Sequence, residues 1–73
     1  PPTNSNPSVA KIQKILVLSQ ERDEYFDNCM HSLDMEWLCI KSNDIQGIIY
    51  WRSNETVFEN KRNEVSAKIK AIQ

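Results

Sequence analysis

The plainest signal along this chain is a row of positions separated by alternating steps of three and four. Val9, Ile12, Leu16, Ser19, Asp23, Phe26, Met30 and Leu33 share one helical face, and six of the eight are apolar. Ile15 and Cys29 widen that stripe. The spacing predicts a first helix over 7–31, with Glu21 to Glu24 as its most polar portion. Asn6 suits a cap, and Pro7 suits the first helical position, where its missing N–H would have had no partner. A break is expected at His31-Ser32-Leu33-Asp34, with Ser32 or Asp34 capping the next helix.

Residues 35–52 fit two patterns. Trp37, Leu38, Ile45, Ile48, Ile49 and Trp51 can share a broad helical face. Trp37-Leu38-Cys39-Ile40 and Ile48-Ile49-Tyr50-Trp51 also read as two strands around a Ser42-Asn43-Asp44 turn. Gly47 disfavours helix by about 1 kcal/mol relative to alanine. Length favours helix, because an isolated two-stranded sheet is marginal. After Ser53-Asn54, the run Thr56-Val57-Phe58-Glu59 fits a capping box. Phe58, Val65, Ile69 and Ile72 then recur at helical spacing, with Arg62 at the skipped position and polar residues opposite. The expected fold is all-α, an antiparallel three-helix bundle over 7–73, preceded by a Pro- and Asn-containing linker at 1–6.

A chain of 73 residues holds one domain of marginal stability. Its net charge of −1 gives no strong field for a nucleic-acid backbone or an anionic membrane, so neither partner is expected. The charge is uneven. Residues 21–36 carry Glu21, Asp23, Glu24, Asp27, Asp34 and Glu36 against Arg22 alone, whereas 37–73 is mildly basic. These are ordinary solvated faces or a docking surface for a partner of complementary charge. Cys29 and Cys39, in apolar surroundings, read as free thiols of a cytoplasmic protein rather than a disulfide framework. No apolar run approaches the ~20 residues of a membrane span, and no signal-peptide pattern is visible. The start at Pro1-Pro2 without an initiator methionine suggests a domain of a longer protein.

Catalytic chemistry is not expected. Cys29 and the lone histidine, His31, are two apart and point different ways on a helix. Together with Cys39 they lack the usual zinc-knuckle spacing, and no cofactor is implied. One glycine gives no phosphate loop. Asn54-Glu55-Thr56 matches a glycosylation triplet, a pattern common by chance. Trp37 and Trp51 are core residues or, alternatively, aromatic anchors for a partner. Arg62, inside an apolar stripe, either snorkels to the domain edge or meets a partner's carboxylate.

Three phrases resemble the BAG domain family. Asn6-Pro7-Ser8-Val9-Ala10-Lys11-Ile12 is similar to the opening of that family's first helix. Asp34-Met35-Glu36-Trp37-Leu38 resembles the start of its second. Phe58 to Ile72, with Lys61-Arg62-Asn63-Glu64-Val65 and Lys68-Ile69-Lys70-Ala71-Ile72, resembles its third. The resemblance implies a three-helix co-chaperone that binds the nucleotide-binding domain of the 70-kDa heat-shock chaperone and promotes nucleotide exchange. It places Arg62 on the family's contact arginine. Lys70 stands where the family has Gln, Ser42 where it has Glu and Arg52 where it has Asp. Asp44, two residues beyond Ser42, substitutes for the Glu only if the register slips. The implied partner-binding set is therefore Arg62, Lys61, Lys70, Asp44 and Arg52 in a divergent copy. Two other readings stay open. One is a winged-helix-like nucleic-acid binder with a hairpin at 37–51 and phosphate contacts from Lys61, Arg62, Lys68 and Lys70. The other is a helical module that associates with itself or a neighbouring domain.

Overall fold

The computed structural model describes residues 7–73, and those residues form two helices and no strand. Helix α1 runs Pro7–Lys41 and α2 runs Ile45–Ile72. They lie antiparallel as one long hairpin, 63 × 17 × 12 Å overall. The linker at 1–6 and the Asn6 cap lie outside the described residues, but α1 begins at the expected Pro7.

The three-helix bundle is thus corrected to a helical hairpin. The expected break at 31–34 does not occur. From Ser8 to Gln46 the sequence contains neither proline nor glycine. Ser32, expected as a cap, instead donates its hydroxyl to the Asn28 carbonyl one turn back at 2.9 Å, a bond compatible with a continuous helix. The second expected helix, 35–52, is divided between α1 and α2. The capping box at Thr56 also falls inside α2, where the Thr56 hydroxyl donates to the Arg52 carbonyl at 3.3 Å.

The true turn is Ser42-Asn43-Asp44. Asn43 takes a left-handed conformation (φ 56°). Its N–H donates to Ile40 O at 3.2 Å, while the Asp44 N–H donates to Cys39 O at 2.9 Å. This is a Schellman ending, with asparagine in the position glycine usually fills. Asp44 then caps α2, its Oδ1 accepting from the Gly47 N–H at 3.0 Å. Gly47 is needed here for space. A Cβ on it would lie 2.5 Å from Asp44 Oδ2 and 2.6 Å from Cys39 Sγ.

The seam between the helices also follows steps of three and four. From α1 it takes Ile15, Leu18, Arg22, Tyr25, Cys29, Ser32, Glu36 and Cys39, and from α2 Ile48, Trp51, Glu55, Phe58, Arg62, Val65, Ile69 and Ile72. Such spacing lets paired helices keep one contact face along their length. The buried apolar side chains are few: Cys39, Val65 and Ile69, the last two 2% and 6% exposed. Ser32, fully buried, and Glu36 are the buried polar residues. A serine buried completely in the seam fills a place where a larger side chain would have added apolar area.

Candidate functional site

The stripe predicted as core, Val9 to Leu33, is helical but lies on the outside. It continues in the same rhythm to Trp37 and Ile40. Its apolar members are 37–58% exposed, with Leu16 and Trp37 near the upper end. From Leu16 onward each position lies one residue beyond a seam position: 16 after 15, 26 after 25, 33 after 32, 37 after 36. One residue is ~100° around a helix, so this outer row looks out along one flank of the hairpin. The same one-residue offset on α2 gives Ile45 and Ile49, both exposed. Because α2 runs the opposite way, that offset turns toward the same flank. The apolar residues of both helices near the turn therefore join in one face.

Charge frames this face. Lys41 places its Nζ 4.2 Å from the Trp37 ring centroid, an i, i+4 cation–π contact on exposed surface. Trp51, the other indole, is half-buried and edge-on to His31 at 5.5 Å and to Tyr50 at 4.9 Å. The two tryptophans thus divide between packing and exposure.

Within the seam sits a cluster of three charged groups. Arg52 Nε donates to Glu36 Oε2 at 2.9 Å. Arg52 is 66% exposed and the Glu36 side chain only 11%, so the arginine reaches in from the rim. Glu55 lies beside Glu36. As a carboxylate it leaves Oε2 buried without a partner. Burial, then the hydrogen bond and charge of Glu36, push its carboxyl up to about 7. The bond from Glu55, followed by that from Arg52, holds Glu36 below its ordinary value. The two acids share one proton near neutrality, with Glu55 as its holder. Burial and the nearby Asp44 carboxylate raise the Cys39 thiol, which donates to Asp44 Oδ2 at 3.9 Å. Cys39 is therefore held as a thiol, not a thiolate nucleophile.

The five residues of the implied partner-binding set are dispersed. Asp44 is the α2 cap, and Arg52 is paired with Glu36. Lys61 lies 5.9 Å from the Tyr25 ring, and Arg62 lies 5.4 Å from the Phe26 ring. Arg62 is half-buried in the seam, so its place in the apolar stripe is satisfied within the chain. Lys70 is exposed in the last turn of α2, suited to the negative end of the helix dipole. Asn54, of the glycosylation triplet, is half-buried inside α2. At the open end of the hairpin, Val17, Leu18, Ala71 and Ile72 line a groove of about 640 Å³, whose only ionisable groups are Lys14 and Lys68. Among the described residues no group of three or more His, Cys, Asp or Glu is placed to hold a metal ion, and no helix is long and apolar enough to cross a membrane.

The feature that sequence reasoning missed is the outer row's exposure. Its rhythm was visible, but a second, more polar row ran one residue behind it and was taken by α2. Comparison with protein families, with curated proteins and with solved structures returns no match, so the fold and its surfaces stand on their own geometry.

Proposed function

We propose that this chain is a protein-interaction module whose contact surface is the outer row of α1, extended by Ile45 and Ile49 of α2. The observation that carries this reading is the inversion of polarity. Helix α1 spends its more polar row on the seam and leaves its more apolar row facing outward, whereas α2 gives its apolar row to the seam. A contiguous apolar face of this size on a small chain marks an interaction site.

The chaperone-docking reading drew on separate second and third helices. Here its residues serve instead as a cap, an ion pair, two cation–ring contacts and an exposed last turn. The winged-helix reading required strands at 37–51, and that segment is helix, turn and helix. Neither has the support that the outer row has.

The test is to place charge in the row. On a solvated surface Met30→Glu and Leu33→Glu change stability by about 0.5 kcal/mol or less. At an interface they abolish association, because each buries an unpaired carboxylate. Circular dichroism, dye binding to exposed apolar surface and sedimentation are measured on the parent and the double variant. Loss of dye binding or of association with helicity retained is expected. A parent that is a cooperatively folding monomer, binds no dye and is unaffected by the variant would refute the reading.

A further inference from the structure

We infer that the surface closing this face is a second copy of the same chain, laid antiparallel so that the outer rows of the two α1 helices pack against each other. The inference rests on the reading of the outer row as an interface, and it names the occupant.

Area comes first. At the exposures given above, the eight apolar side chains of the row offer on the order of 700 Å². Covered on both copies, this reaches the range of a standard dimer interface. An isolated hairpin with three buried apolar residues lacks the core that a domain of this size needs.

Register comes second. In an antiparallel pair, the row matches itself layer by layer. Val9 faces Ile40 of the other copy, Ile12 faces Trp37, and Leu16 faces Leu33. Ser19 faces Met30, and Asp23 faces Phe26. The small or polar members meet large side chains, and the aliphatic members meet apolar ones. The row is its own complement at every layer except the central one, where the Asp23 carboxylate weakens the contact, and a two-fold interface requires that self-complementarity. In a parallel pair Asp23 would lie on Asp23 inside the row, a like-charge contact at a desolvated site.

Charge does not choose between the orientations: Glu36 is engaged with Arg52 inside each hairpin, Lys41 offsets Asp34 at that end of α1, and the acidic segment 21–27 meets its own copy either way. The register, which keeps Asp23 off Asp23, sets the antiparallel arrangement.

Sedimentation of the full chain from about 1 to about 200 µM, with helicity and thermal melts recorded in parallel, tests the inference. The expected result is a species of twice the 8.5 kDa chain mass and a melting temperature that rises with concentration. Leu33→Glu, which sets a carboxylate against Leu16, should return the mass to that of one chain. Asp23→Leu should move the dissociation midpoint at least tenfold toward lower concentration. Orientation is read in a Cys29→Ala, Cys39→Ala background. Chains carrying Leu16→Cys should cross-link to chains carrying Leu33→Cys, and neither should cross-link to itself. Self-cross-linking of each would overturn the antiparallel arrangement. A monomer with a broad, poorly cooperative melt and strong dye binding would overturn the second copy as occupant while leaving the face as an interface for another protein. A monomer with a sharp, concentration-independent melt and no dye binding would overturn both.

Discussion

Glu55→Gln should stabilise the chain at pH 8 and should do so much less at pH 5. Glu55 titrates at about 7, above its ordinary value of 4.5, so its proton is bound more tightly in the folded chain. Its contribution is fully present below about 4.5 and is lost as pH rises through about 7. Glu36, held below 4.5, acts oppositely, but only at lower pH, where its own contribution is lost as it protonates. Between these limits Glu55 governs, and stability falls as pH rises. Above pH 7 its carboxylate leaves Oε2 buried and unpartnered beside Glu36. An unsatisfied buried polar group costs about 1–3 kcal/mol. Glutamine removes the charge and gives an amide N–H that can donate to Glu36, so a gain in that range is expected at pH 8. For a chain of this size each kcal/mol moves the melting temperature by about 4–8 °C. Melts followed by circular dichroism at pH 5, 6, 7 and 8, at one protein concentration, measure the effect. The exposed Glu64→Gln, whose charge does not act on Glu55, serves as the control for a simple change in net charge. Parallel pH profiles for parent and Glu55→Gln, or a parent more stable at pH 8 than at pH 5.5, would refute the assignment of the shared proton.

Other outcomes follow from the same geometry. Gly47→Ala should destabilise despite alanine's helix propensity, because the new methyl displaces the Asp44 cap and Cys39. A rise in melting temperature would contradict the close approach seen at that turn. Asp44→Ala should cost about 0.5–2 kcal/mol in urea unfolding through loss of the α2 cap. Ile69→Ala should cost about 2–5 kcal/mol. In a seam with so few buried apolar groups that is enough to abolish cooperative unfolding, and a sharp transition with native helicity would show that the core lies elsewhere.

Much of the helical content was legible, and its partition was not. The rhythm of three and four identified α1 and the last part of α2, including Phe58, Val65, Ile69 and Ile72 in the seam. Apolarity then pointed to the wrong row on α1. Arg22, Ser32 and Glu36 look like surface residues, yet they face α2, where Arg52 supplies the counter-charge for Glu36 and the Ser32 hydroxyl is satisfied by the Asn28 carbonyl. Their spacing, continuous from Ile15 to Cys39, was the signal that could have placed them. Ser32 misled as a cap because serine bonds equally to a carbonyl one turn back. The turn was marked by Asn43-Asp44, a left-handed residue followed by a cap, and it was legible as a helix ending only once the strand alternative was set aside. The site followed the same pattern: Arg62 stood out as a charge in an apolar stripe and Arg52 as a departure from the family pattern, and both found partners within the chain.

The environment of Trp37 is the most direct probe of whether the outer face is covered. With Trp51→Phe, Trp37 is the only indole, and its emission and acrylamide quenching can be followed through a dilution series while helicity is monitored. Emission at shorter wavelength with protection from quencher at high concentration, reverting on dilution, is expected. Red-shifted, freely quenched emission at every concentration from a chain that stays fully helical and melts sharply would show that the face is solvated and that the hairpin stands alone.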